Sequence, residues 1–150
     1  MGDVAPASET ELVAALRGRG LKATPQRVVV YRILRRGDVH LRAEDVLAAA
    51  ARELPNVSLP TVYAALNVLE DLGVVRRVVA LGGTTLYDTR VDDHHHAICR
   101  RCGRVTDLEA PTDLTPALAV AGRTGFVPER AQLTILGLCP SCGAQSPPQA

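Results

Sequence analysis

Four cysteines and four histidines are the side chains in this 150-residue chain best suited to hold a metal. The cysteines come as Cys99-Arg-Arg-Cys102-Gly and Cys139-Pro-Ser-Cys142-Gly. Each pair sets two thiolates on a tight turn, and the following glycine lets backbone amides approach the sulfurs. Two such turns complete a tetrahedral four-thiolate zinc site with Zn–S bonds of about 2.3 Å. Thirty-six residues lie between the pairs, more than the roughly 15–20 of a zinc ribbon. The site would therefore tie the end of the chain back to the first strand of a second domain. A closed four-thiolate site keeps no open position, so it is expected to be structural and to do no catalysis. The other uses of such pairs are a redox dithiol or an iron–sulfur cluster. A disulfide framework fits less well, because residues 1–20 show no basic start followed by an apolar stretch, as export would need. A cytoplasmic protein that keeps its thiols reduced is expected.

The histidines suggest a second site of different chemistry. His94-His95-His96 opens a segment that ends at Cys99. Strand alternation puts His94, His96 and Ile98 on one face and His95, Ala97 and Cys99 on the other. His94 and His96 can then share an ion on the face opposite the zinc turn, with Asp88, Asp92, Asp93 and Asp107 as carboxylate candidates. Imidazole with carboxylate suits Fe²⁺, Mn²⁺ or Zn²⁺. His40 is expected in a loop far upstream. If it joins the same ion, the metal bridges two domains and its occupancy fixes their relative angle.

These ligands need elements to position them. Ser8-x-x-Glu11 predicts a helix start, with Leu12, Val13 and Leu16 facing inward. Thr24-Pro25 predicts a second helix over 25–36 ending at Gly37, with Val28, Val29, Ile33 and Leu34 inside. A third is expected over 43–54, without a capping side chain at its start. Ser58 caps a fourth over 59–72, with Val62, Leu66 and Leu69 as its stripe and Gly73 ending it. Two apolar runs, 74–81 and 84–87, flank Gly82-Gly83 and predict a hairpin. Helices followed by a two-stranded hairpin are the winged-helix order, in which the helix before the hairpin enters the DNA major groove. Short strands are expected over 94–100, 104–109 and 132–138, with a helix over 112–123. The chain divides into a loose tail 1–8, a winged-helix domain 9–88, a hinge 89–93, an α/β domain 94–143 and a loose tail 144–150. The fold class is α+β.

Composition narrows the function further. Apolar residues make up 47%, enough for a packed core, and no apolar run approaches the roughly 18 residues of a membrane span. With only three Tyr and one Phe, the core is expected to be Leu, Val, Ile and Ala. A net charge of +1 argues against binding a polyanion until it is mapped along the chain. Residues 17–42 hold eight basic side chains and one acid, a net +7, whereas residues 43–73 carry −4 and residues 91–150 carry −1. One early segment is thus equipped to meet phosphate.

The combination resembles the Fur family of bacterial metal-dependent repressors. The residues that carry the likeness are Leu21-Lys-Ala-Thr-Pro-Gln-Arg27, Ser58-Leu-Pro-Thr-Val-Tyr63, Leu69-Glu-Asp-Leu-Gly-Val-Val75, His94-His-His-Ala-Ile-Cys-Arg-Arg-Cys102-Gly and Cys139-Pro-Ser-Cys142. The resemblance covers about residues 9–143. It implies a homodimer, an N-terminal DNA-binding winged helix, a C-terminal dimerisation domain, a structural zinc on Cys99, Cys102, Cys139 and Cys142, and a regulatory metal near the hinge. The peroxide-sensing members use three His and two Asp, which here would be His40, Asp88, His94, His96 and Asp107, holding Fe²⁺ or Mn²⁺. Iron-uptake members typically have Glu where Asp107 stands, and a further His that this chain lacks. The implied partner is an AT-rich inverted repeat of double-stranded DNA, met by Lys22, Arg27, Ser58, Thr61 and Tyr63. Ala64 departs from the polar residue of many relatives, and Leu41-Arg42 from their usual cap and Pro. The expected function is a repressor that releases its operator when iron-catalysed oxidation alters His40 or His94. The alternative is an iron, manganese or zinc homeostasis repressor. A metal enzyme is disfavoured, since no Ser, Cys or Glu base is motif-placed beside the His cluster.

Overall fold

A computed structural model describes residues 5–37 and 40–145. It divides into two compact units, one running to Val79 together with Gly83–Val91, the other comprising Ala80–Gly82 and the residues from Asp92 on. The expected tails lie partly outside the described residues, namely 1–4 and 146–150.

In the first unit, α1 (Glu9–Gly18), α2 (Pro25–Leu34), α3 (Ala43–Ala50) and α4 (Leu59–Asp71) pack round one apolar core. Their starts follow from capping chemistry. Ser8 Oγ accepts from Glu11 N–H, Thr24 Oγ1 from Arg27 N–H and Ser58 Oγ from Thr61 N–H, each cap typically contributing about 1 kcal/mol. The α3 start has no such side chain; instead Asp45 reaches back to accept from Arg42 N–H at 3.1 Å. Leu12, Leu16, Val46, Val62, Leu66 and Leu69 are fully buried, and Ile33 and Leu34 nearly so. Helix α2 stops at Leu34, short of Arg36, and α3 at Ala50, short of residue 54.

Three expectations for this unit are corrected. Residues 5–8 are not a loose tail: Pro6 is buried, and its carbonyl accepts a 3.0 Å hydrogen bond from the Tyr31 hydroxyl. The core is not purely aliphatic, since Tyr31 and Tyr87 are each 2% exposed. His40 is not in a loop but begins a two-residue strand, β1 (His40–Leu41). That strand was invisible to periodicity because two residues cannot show a period; it exists only by pairing. The sheet order is β1-β3-β2, with β2 (Arg76–Val79) and β3 (Thr85–Asp88) antiparallel. Gly82 and Gly83 both take φ +80 in the connection, a backbone that side-chain-bearing residues rarely adopt.

In the second unit, β4 (His95–Cys99) is the central strand. It pairs antiparallel with β5 (Val105–Leu108) and parallel with β6 (Thr134–Gly137). Helix α5 (Thr115–Arg123) supplies the crossover, starting three residues later than expected. The second cysteine turn closes as a short helix, α6 (Pro140–Gly143), not foreseen because a Cys-Pro-Ser-Cys turn carries no apolar repeat. The core here is thin: among the described residues Ala80, Ile98, Cys99 and Cys142 are its buried apolar residues, while β6 is exposed throughout and α5 buries nothing.

Candidate metal centres and nucleic-acid face

The β4–β5 turn and α6 bring the four cysteines together. All four are thiols rather than disulfides, and one Sγ from each lies within 4.8 Å of every other. Cys102 Sγ and Cys139 Sγ are 3.8 Å apart. A tetrahedron with bonds of about 2.3 Å has edges of about 3.8 Å, so this separation fits zinc without rearrangement. Backbone N–H groups of Cys102 and Cys139 stabilise negative charge on Cys99 and lower its thiol to about 5. Cys142 is pushed up to about 12, chiefly by its contact with Cys139 and by burial. The turns thus favour the thiolate at Cys99, the form in which a cysteine binds Zn²⁺.

The second constellation comes in two parts. In the second unit, the β4–β5 register sets His96 opposite Asp107. His94 Nε2 and His96 Nε2 are 3.0 Å apart, and Asp107 Oδ1 lies 3.4 Å from the first and 3.6 Å from the second. Both rings are buried and lie edge to face. Adjacent ligand atoms on an ion with bonds of about 2.1 Å sit about 3 Å apart, so these three atoms fit one face of such a site. His94 is held by its other nitrogen, Nδ1, 2.8 Å from the Asp92 carbonyl. His95 points elsewhere, its Nδ1 accepting from Leu133 N–H.

In the first unit, β1–β3 pairing sets His40 opposite Asp88. His40 Nε2 is 3.8 Å from Asp88 Oδ2, and Asp88 Oδ1 accepts from Arg90 N–H at 2.8 Å, which fixes the carboxylate. Each sheet therefore delivers a His–Asp pair by strand register. Asp92 and Asp93, the other carboxylate candidates, are exposed.

The solvent face of α4 is formed by Pro60, Tyr63, Ala64 and Asn67, at helical spacing. Tyr63 is 38% exposed, and Lys22 is exposed. Ser58 and Thr61 hydroxyls lie 2.9 Å apart at the start of the helix. Arg27 folds back to donate to the Lys22 carbonyl at 2.6 Å. Sequence reasoning missed Asn67 and Arg77: the Arg77 guanidinium on β2 donates to Asn67 Oδ1 at 2.6 Å, pairs with Glu70 at 2.7 Å and lies over the Tyr87 ring. Asn67 was findable as the i+4 neighbour of Tyr63; the arginine's partners were not.

A winged helix joined to a small α/β unit with four clustered thiols and a His/Asp cluster is the build of a metal-responsive transcriptional regulator. Comparison with known proteins agrees. The chain belongs to the Ferric uptake regulator family, whose model matches residues 18–136. It is 30% identical over 132 residues to the peroxide-responsive repressor PerR of Staphylococcus aureus, covering 88% of this chain and 89% of the relative. It is 34% identical over 128 residues to the transcriptional regulator FurA of Mycobacterium tuberculosis, covering 85% and 86%. The Helicobacter pylori ferric uptake regulator Fur, a structure described as revealing three functional metal-binding sites, superposes with a TM-score of 0.74 at 23% identity over 89% of this chain and 90% of that one.

Proposed function

We propose that the protein is a dimeric, Fe²⁺- or Mn²⁺-dependent repressor that senses hydrogen peroxide. In this reading His40 and Asp88 from one unit, and His94, His96 and Asp107 from the other, serve a single regulatory ion. The convergence of His94 Nε2, His96 Nε2 and Asp107 Oδ1 within 3.6 Å carries the proposal. Three imidazoles and two carboxylates would hold such an ion without filling six positions, leaving room for peroxide. Bound Fe²⁺ would activate peroxide so that one of its oxygens adds to a ring carbon, the other leaves as water, and the ring supplies the two electrons. His40 and His94 are the rings proposed to take up oxygen. An oxidised ring is a poorer donor, the two His–Asp pairs are no longer held together, and the operator is released.

The remaining parts follow from the same reading. Helix α4 enters the major groove with Thr61 and Tyr63, Ser58 sits at its phosphate-facing start, and Lys22 and Arg27 reach the backbone of an AT-rich inverted repeat. The exposed apolar side chains of Ile135 and Leu136 on β6, with Val120, Phe126 and Val127, are proposed to meet a second copy. The cysteines hold structural zinc, as the reducing cytoplasm permits. The alternative reading is a homeostasis repressor for iron, manganese or zinc, which the match to the Ferric uptake regulator family supports much as the PerR likeness supports peroxide.

Operator binding by the Fe²⁺ and Mn²⁺ forms, with and without micromolar peroxide, separates the two. Release of the iron form alone is expected, with a gain of about 16 Da, one oxygen atom, on the peptide holding His40 or His94. An iron form that stays bound and unmodified would reject peroxide sensing and leave metal homeostasis.

A further inference from the structure

We infer that Asn67 reads a base edge in the DNA major groove through its amide N–H donors, and that Arg77 is the positioning residue that leaves those donors to the DNA. The inference rests on the proposed reading of α4 as the helix in the groove. Asn67 is exposed and lies one helical turn beyond Tyr63, on the face that also carries Pro60 and Ala64. Ala64 presents only a methyl group there, so it can make no hydrogen bond to a base. A polar contact beyond Tyr63 on this face then falls to Asn67.

An unconstrained asparagine reads ambiguously, because its oxygen accepts and its nitrogen donates. Arg77 removes the ambiguity. Its Nη2 donates to Asn67 Oδ1 at 2.6 Å, and the same nitrogen lies 2.7 Å from Glu70 Oε2. The guanidinium carbon is 6.0 Å from the centre of the buried Tyr87 ring. Asn67 and Glu70 stand one turn apart on α4, while Arg77 and Tyr87 face each other across β2 and β3. Helix and sheet therefore hold the guanidinium between them. A guanidinium has donors only, so the amide atom that meets it has to be the oxygen; a flipped amide would set N–H against N–H. Among the described residues the Asn67 amide nitrogen has no hydrogen-bond partner. The group left for a ligand is thus a donor. A donor suits the O6 and N7 of guanine or the O4 of thymine, and is opposed by the N4 amino group of cytosine. Glu70 offsets the Arg77 charge, so Arg77 acts on the DNA through Asn67 and not as a phosphate contact.

The test uses full-length protein loaded with zinc and Mn²⁺, and a pool of random-sequence DNA duplexes from which the bound sequences are selected and read. Wild type is expected to select a repeat in which one position per half-site prefers guanine or thymine to cytosine. Asn67→Ala should flatten that position alone and weaken binding to the preferred duplex by about 5- to 10-fold per half-site, the low end of the cost of one mismatched pair. Asn67→Asp keeps the shape and the bond to Arg77 but offers acceptors only, so the same position should turn to cytosine. Arg77→Leu, made together with Glu70→Ala so that no charge is left unpaired, should flatten the same position and leave the salt dependence of binding unchanged. Loss of a phosphate contact would instead weaken all sequences alike and reduce the salt slope by about 1. Asn67 and Arg77 are exposed and Glu70 is half-buried, so these variants leave the core intact. Wild-type preferences in Asn67→Ala, continued rejection of cytosine by Asn67→Asp, or an unchanged preference in the Arg77 variant each overturns the inference. Failure of the underlying reading looks different: wild type would select no sequence, or Thr61→Ala and Tyr63→Ala would also leave the selected sequences unchanged, because α4 would not be the helix in the groove.

Discussion

Tyr31 shows how one side chain serves the fold when aromatics are scarce. Its ring lies in the core, its hydroxyl donates to the Pro6 carbonyl, and the segment before α1 is thereby fastened over α2. Burial pushes the Tyr31 and Tyr87 phenols above their ordinary value of 10.0. The sign follows: the folded state favours the neutral phenol, so the stabilisation is complete below pH 10 and is lost as pH rises through the raised folded values. Tyr31→Phe should lower stability near neutrality by about 1 kcal/mol, the net value of the hydrogen bond, and should flatten the loss above pH 10. Denaturant unfolding at several pH values measures both. An alkaline loss as steep in the variant as in wild type would show that Tyr31 is not its source. At the same scale, the strand register opposite His96 lets the short carboxylate of Asp107 come within 3.6 Å of both imidazoles.

Secondary-structure elements divide the labour of placing the sites. The two-residue β1 has no core of its own, yet its pairing with β3 brings His40 opposite Asp88. Arg77 performs a similar service between β2 and α4, joining Asn67, Glu70 and the Tyr87 ring through one guanidinium. The ion pair is largely exposed, so its worth is modest. Arg77→Ala is expected to cost about 0.5–1 kcal/mol. In a thermal-melt double-mutant cycle with Glu70→Ala, the coupling energy should shrink as salt is raised. A salt-independent coupling would show that packing on Tyr87, not charge, joins the hairpin to the helix.

Across the whole molecule, stability is unevenly shared. The first unit has a continuous apolar core from Leu12 to Tyr87, while the second buries little beyond Ile98 and two of its own cysteines. Zinc on the four thiols is therefore expected to supply much of the second unit's folding energy, since metal affinity becomes folding energy where the metal-free chain cannot hold its ligands together. Removal of zinc with a chelator should open the amides of β4, β5 and β6 to hydrogen exchange while α1–α4 stay protected. Equal protection of β4–β6 with and without zinc would show that packing alone suffices there. Charge is also redistributed within the first unit. Arg32 pairs with Glu9 and Glu53, and Arg36 with Glu53, acids that lie outside the +7 segment in sequence but beside it in space. Part of that positive charge serves to join α1, α2 and the turn after α3, and Lys22, Arg35 and Arg42 are exposed cations outside these pairs.

Local chemistry was legible in the sequence because it acts over a few residues. Ser8, Thr24 and Ser58 fixed helix starts, the spacing of Val62, Leu66 and Leu69 fixed the buried face of α4, and the doubled Cys-x-x-Cys fixed a four-thiol site. Alternation at His94 and His96 correctly set both on one face. The tertiary structure decided what depends on partners distant in the chain. It decided that His40 belongs to a strand, that Pro6 is buried under Tyr31, that Arg32 and Arg36 are paired, and that the Gln132 amide lies 2.9 Å from His96 Nδ1. Capping and periodicity are near-neighbour interactions written in adjacent letters. Pairing register, ion pairing and the hydrogen bond to a buried histidine arise only when segments dozens of residues apart are brought into contact.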